Sequence, residues 1–474
     1  MSGKLEKKYG LITAICMVIG IVIGSGVFFK AQNVLTATEG NTLTGIIAWI
    51  IGGAIMMVCA ITFSSMATKF QRVNGVVDYA EATVGKGYAY FLAWFVSTIY
   101  YPAMTSVLAW VSARYTLVLF GENDPTTGTC MALACFYLVA SGVLNALAPK
   151  LSGKFQVSTT FIKLVPLALV ALVGGIAGAF FHDGTPVLES TINMLASGDI
   201  VVGGSVGTGL FAAVISTVFA YEGWIIATTI NAELKNAKRN LPIALLLGCT
   251  VIVAVYILYF LGLSRAANVA DLINPEGGAP VAFRNLFGNA GAVVLNVFVV
   301  ISCLGTLNGL TLGCARGMYS IAARRQGPRA DVMGEVSPTT NMPANSALIG
   351  MLVCSIWLFY FYAANLRASI FGPFTFDSSE IPIVTVYALY IPIFVMFIVR
   401  HGKENVFRNI VMPVLAIIGS AFMVYATFIA HGVQPYQKAA AEGKFAFPIL
   451  FYLIVFAVIV GAGMFFYKKK RNND

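Results

Sequence analysis

The amino-acid sequence predicts an all-α integral membrane protein that crosses the bilayer twelve times as one membrane-embedded unit spanning residues 1–474. Three observations predict it. The first is composition. Of 474 residues 58% are hydrophobic and only 11% are charged, against about 25% charged in an ordinary soluble domain. A soluble chain of this length could not hide that much apolar surface, which excludes a soluble enzyme, a disordered chain and a nucleic-acid-binding domain. The second is spacing: runs long enough to cross a hydrocarbon core, roughly 20 residues each, recur twelve times. The third is charge. With the N-terminus inside, 22 Lys and Arg fall on inner segments or span ends and 7 on outer ones, with Lys163 alone deep inside a span. That asymmetry places both termini in the cytoplasm and accounts for the net charge of +10 without an anionic polymer as partner.

The runs cover residues 10–34, 43–68, 87–119, 129–147, 153–181, 204–231, 240–263, 288–322, 344–363, 374–399, 408–430 and 446–467. Lys4, Lys7 and Lys8 precede the first, which is too long for a signal-peptide core and has no small-residue cleavage site. Lys69, Arg72 and Lys86 separate the second from the third, and Lys150 and Lys154 lie between the fourth and the fifth. Lys235, Lys238 and Arg239 follow the sixth; Arg316, Arg324, Arg325 and Arg329 close the eighth. Arg400, Lys403 and Arg408 join the tenth to the eleventh, and residues 468–471 end the twelfth with four cations. Runs longer than 25 residues imply tilted helices or helices that outreach the bilayer. The longest polar connections are 182–203, 264–287 and 323–343, so no soluble domain is inserted, and no phosphate-binding GxxxxGK[ST] motif is present. The eight cysteines sit in apolar runs without a CxxC pair and read as small core residues. His182, His401 and His431 fall in connections, so neither a metal nor a histidine-based reaction is expected inside the membrane, and no cofactor is implied.

Two spans are interrupted in the middle. In the first, Gly20, Gly24 and Gly26 with Ser25 weaken the helix about halfway across. Gly20 and Gly24 also fit a helix-packing face, but Ser25 and Gly26 are more than packing needs. In the sixth, residues 219–224 read Phe-Ala-Tyr-Glu-Gly-Trp, and Glu222 is the one acidic residue deep in any span. An intramembrane carboxylate is costly and marks a functional position; a cap for the following half-helix is the compatible structural alternative. Breaks in spans one and six are the spacing expected of inverted repeats, 9–181 and 204–399, with 408–467 as two additional helices and a ligand between the breaks. The half-helix after Ser25 offers N–H groups to an anion, and the ends of the preceding half-helices offer carbonyls to a cation. A molecule with a carboxylate and an ammonium on one carbon fits both. Lys163 lies about 15 Å into the fifth span, too deep for easy snorkelling. Its partners should be carbonyls or hydroxyls of neighbouring helices. It reads as a fixed cation, as a titrating proton carrier, or as a lysine lining a wet cavity.

Four segments resemble the L-type amino acid transporter family of the amino acid–polyamine–organocation superfamily. Ile-Gly-Ser-Gly-Val-Phe at 23–28 is similar to the family's first-helix break, and residues 219–224 to its sixth-helix break. Residues 231–242 resemble the signature after that helix, and residues 302–309, with Arg316, Tyr319 and Arg324, resemble the eighth helix and its exit loop. The likeness runs from about residue 8 to 430. It implies a LeuT-like 5+5 inverted repeat plus two helices, and sodium-independent exchange of amino acids at the cell membrane. It implies that Ser25 and Gly26 meet the substrate carboxylate through backbone N–H groups, with Gly24 beside them in the binding segment. The carbonyls of Val22, Phe219 and Glu222 would take the ammonium, with Ala220 and Tyr221 in the same segment. Phe219 would close over the substrate, and Lys163, near Ser302, would stand where related proteins bind sodium. Members with a disulfide-linked heavy subunit carry a cysteine between spans three and four; residues 120–128 contain none, so no such partner is expected. Bulky Tyr221 and Trp224, with related bacterial members, point to small neutral L-amino acids such as alanine, serine, cysteine and threonine. Proton-coupled symport and antiport of cationic or larger amino acids on the same fold are the alternatives.

Overall fold

The computed structural model describes residues 6–24, 26–70, 74–122, 124, 126–177, 206–274, 278–366 and 370–471. Ser25, His182 and most of the connection after the fifth span lie outside them. Regular structure among the described residues is helical apart from one parallel bridge between Tyr9 and Leu234.

Among the described residues, twelve helices are long and apolar enough to cross a membrane: Leu11–Ala37, Thr42–Lys69, Lys86–Leu119, Gly128–Leu147, Pro149–Gly174, Gly209–Glu233, Ala237–Ala266, Ala279–Ala322, Ala344–Asn365, Ile381–Glu404, Phe407–Ala441 and Pro448–Tyr467. Their number is the one the hydropathy pattern predicts. The third span is enclosed by its neighbours almost throughout, whereas the twelfth is exposed along most of its length. Large apolar side chains such as Phe136, Ile356 and Val458 point outward, the arrangement expected when the surrounding solvent is hydrocarbon.

Several boundaries differ from the sequence reading, the tenth span among them, which starts at Ile381 rather than 374. The eighth helix starts at Ala279 rather than 288, because the chain turns at Gly288 (φ 71°) and continues helically on both sides. The fifth starts at Pro149, where proline's fixed φ suits a first helical turn. The eleventh runs on to Ala441 through a π-helical turn, Ile429–Val433. His431 therefore lies in a helix rather than in a connection, and His401 ends the α-helical part of the tenth span, before a 3₁₀ turn to Glu404.

The packing centres on the interrupted helices. The seventh span lies against the first and second, and the eighth against the third, fifth and ninth. The first half of the sixth packs on Gly26–Ala37 and on the second span. Both breaks thereby sit at the middle of the bundle, where backbone groups released from helical pairing meet protein rather than lipid.

Candidate functional site

The first helix stops at Val22, with Ile23 extended (φ −72°, ψ 94°), and resumes at Gly26. The sixth stops at Tyr221 and turns at Gly223, whose φ of 106° is left-handed and suits glycine. A ten-residue 3₁₀ segment, Trp224–Glu233, follows. Runs of this kind are rarely longer than about four residues and often mark hinges. A Cβ on Gly24 would lie 2.9 Å from Thr306 Oγ1, and one on Gly26 would lie 3.0 Å from Ala220 Cα. Gly26 lets the two broken helices meet closely at the Ala220 backbone, and Gly24 makes room for the Thr306 side chain of the eighth span.

Between the breaks lies a cavity of about 20 Å³ lined by Ile21, Val22, Gly24, Gly26, Met104, Leu108, Phe219, Glu222, Thr306 and Leu310. A volume of about 15 Å³ by the same measure holds one water, so an amino acid enters only when the walls move apart. The sequence-derived positions Val22, Gly24, Gly26, Phe219 and Glu222 line it, while Ala220 and Tyr221 are buried in the same segment. Glu222 is turned partly toward the third span, where Tyr100 donates to its Oε1.

Lys163 stands behind the first break, fully buried. Its ammonium donates to the carbonyls of Gly20 (2.7 Å) and Ile23 (2.5 Å) and to Thr306 Oγ1 (3.2 Å). These are the carbonyl and hydroxyl partners that its depth requires. Ser302 Oγ reaches the Ile23 carbonyl only at 3.4 Å, whereas Thr306 contacts the same carbonyl at 3.1 Å and that of Gly20 at 3.2 Å.

Both ways out of the cavity are closed. On the side away from the N-terminus, the Phe219 ring packs against Phe29 and lies 4.9 Å from the Lys30 ammonium. Lys30 pairs with Glu380, which also meets His431 Nε2 at 2.9 Å. On the N-terminal side, Lys8 and Tyr9 donate backbone N–H groups to the Glu233 carbonyl at 2.9 and 3.0 Å. The Glu233 carboxylate, fully buried, takes Lys8 at 2.7 Å and Arg316 Nε at 2.7 Å. The two faces are thus tied by separate charged clusters on either side of an occluded centre.

Across most of its length the chain matches a known protein family. The amino acid permease profile covers residues 9–458. The chain belongs to the amino acid permease family. The permease is 29% identical over 433 residues to the serine/threonine exchanger SteT of Bacillus subtilis (strain 168), covering 90% of this chain and 92% of that one. It is 25% identical over 438 residues to the human b(0,+)-type amino acid transporter 1, covering 91% of this chain and 85% of that one. With the human cystine/glutamate transporter it shares 24% identity over 365 residues, 75% of this chain and 68% of that one. The permease is accordingly a multi-pass membrane transporter for amino acids and not an enzyme.

Sequence reasoning does not single out Ile21, Tyr100, Met104, Leu108, Thr306 or Leu310 as individual site residues. Hydroxyl, phenolic and aliphatic side chains in apolar helices carry no local signal. Only Thr306 was within reach, because it lies in the small-residue run 302–309.

Proposed function

We propose that this permease is a sodium-independent exchanger of small neutral L-amino acids such as alanine, serine, cysteine and threonine. It works by alternating access on two inverted repeats, 9–181 and 204–399. The substrate carboxylate meets the N–H groups at Ser25 and Gly26, with Gly24 beside them. The ammonium meets the carbonyls at Val22, Phe219 and Glu222, and Phe219 closes over it. Both termini are cytoplasmic, and the permease acts in the cell membrane without a disulfide-linked heavy subunit.

The observation that carries this reading is the set of oxygens around Lys163. The carbonyl of Gly20 in the last turn of the first half-helix, that of Ile23 in the break, and the Thr306 hydroxyl are the kind of donor set that binds a coupling cation. Here they are taken by a covalently attached ammonium. A resident cation removes the need for sodium. Its tether to the first helix also favours a cycle in which the site moves with substrate in both directions.

Uptake of radiolabelled alanine into proteoliposomes in sodium-free buffer, with and without trapped alanine and with no pH gradient, tests the proposal. Uptake confined to loaded vesicles is expected. Equal uptake into empty vesicles would instead mean uniport or ion coupling. Accumulation driven by an imposed pH gradient would establish proton symport, with Lys163 and Glu222 as the positions to examine.

A further inference from the structure

Among the described residues that line the cavity, Glu222 alone bears an ionisable side chain. The rest of the lining is apolar side chains, glycine and the Thr306 hydroxyl. Whether the cavity accepts a charged substrate side chain therefore turns on where this one carboxyl points. A cationic side chain carried into so enclosed a space needs an acidic partner, because an unpaired buried charge is too costly. Here the carboxyl already has another partner. Tyr100 of the third span is fully buried and donates its hydroxyl to Glu222 Oε1. Tyr100 ends a π-helical turn, Val96–Tyr100. Met104 and Leu108, one and two turns further along the same face, line the cavity, whereas Tyr100 does not. Its hydroxyl thus reaches Glu222 from beside the cavity and draws the carboxyl toward the third span. The Gly223 N–H and Tyr387 of the tenth span also neighbour the carboxyl.

We infer that Tyr100 is a specificity-determining residue that closes the cavity to cationic amino acids. To meet an ammonium in the cavity, the carboxyl would have to give up the phenol's hydrogen bond, and the phenol would be left buried without an acceptor. A neutral side chain asks for no such exchange. An acidic residue in the wall is in this way compatible with neutral substrates, and a residue of the third span decides the charge of the side chain admitted. This rests on the breaks being the amino acid site, as proposed above, and names one determinant of its substrate class.

The test sets two competitors of equal chain length against radiolabelled alanine in the purified, reconstituted protein. Homoserine ends in a hydroxyl, and 2,4-diaminobutyrate ends in an ammonium. The readout is the ratio of their inhibition constants, so a general change in activity cancels. Wild type should prefer homoserine by about ten-fold or more. Tyr100→Phe keeps the ring and removes the donor, and the preference should fall about ten-fold, the size of one hydrogen bond to a charged group. Adding Glu222→Gln to that variant should restore the preference, because the amide offers the ammonium no charge. Tyr259→Phe is the control: Tyr259 lies on the seventh span, its ring packs on Phe28, and its hydroxyl has no hydrogen-bond partner. It should leave the ratio at the wild-type value.

An unchanged preference in Tyr100→Phe would overturn the inference. So would an equal fall in Tyr259→Phe, a fall that persists when Glu222→Gln is added, or a wild type inhibited equally by both competitors. Where Tyr100→Phe cannot be purified folded, Glu222→Gln alone decides. It should keep the wild-type preference, whereas a preference for homoserine strengthened several-fold would show that the carboxylate already serves cations, and the role of Tyr100 would fall. Ser25→Leu, run alongside, separates the two levels. If it abolishes alanine exchange while Tyr100→Phe is silent, the site stands and the role of Tyr100 falls. If Ser25→Leu exchanges normally, both fall.

Discussion

A Cβ on Gly26 would lie 3.0 Å from Ala220 Cα and 3.3 Å from the Phe219 ring, with backbone rather than a flexible side chain in the way. Gly26→Val should therefore abolish alanine exchange while leaving a monodisperse protein. Uptake alongside size exclusion checks this, and normal exchange would move the carboxylate site elsewhere. Lys163 is a different kind of residue, an ammonium held by neutral oxygens. Lys163→Ala should fold and exchange more slowly, with an altered KM from one face of the vesicle. Initial rates across a substrate range from both faces decide it; curves that superpose on wild type would remove Lys163 from the cycle. These residues were legible because each breaks the rule of its surroundings: glycines clustered in an apolar run, a lysine and a glutamate where lipid-like surroundings penalise charge. Tyr100 and Thr306 break no such rule. Their hydroxyls become informative only where distant helices bring a carboxyl or backbone carbonyls beside them.

The Lys30–Glu380–His431 cluster joins three helices at the face away from the N-terminus. Burial alone would raise the Glu380 carboxyl, but the facing Lys30 ammonium, with His431, outweighs it and holds the group well below the usual carboxylate range. A lowered folded value stabilises the protein fully above the unfolded value, near 4.5, and that contribution is lost only as pH falls through the folded one. Removing one partner of a buried pair costs about 3 kcal/mol. Glu380→Gln should thus lower thermal stability, and its Tm gap from wild type should remain open from pH 8 to about pH 5. Thermal unfolding in detergent at several pH values checks this; a gap that closes across that window would show the carboxyl titrating there. From sequence, His431 reads as a connection residue because the apolar run ends just before it, at 430. Helical pairing continued past the end of the hydrophobicity, since its backbone bonds do not depend on side-chain polarity.

Across the whole molecule, the occluded centre lies between two locks: Glu380 ties the first, tenth and eleventh spans on one face, and Glu233 ties the N-terminal segment, the sixth and the eighth on the other. In a two-state cycle, loosening one lock favours the state open to that face. Glu380→Gln and Glu233→Gln should therefore shift the KM ratio between the two faces in opposite directions, each by several-fold. Measurement in oriented proteoliposomes checks it, and shifts of the same sign would argue against separate locks. The sequence by itself determined the membrane class, the twelve crossings and the places where helices break. All of these follow from local composition: apolar length against bilayer thickness, and glycine against helical pairing. Tertiary structure alone decided which oxygens receive the Lys163 ammonium, that Tyr100 meets Glu222, and that Lys8, Glu233 and Arg316 form one cluster. Those depend on how helices far apart in the chain cross, and the crossing is set by packing summed over many side chains rather than by any segment read alone.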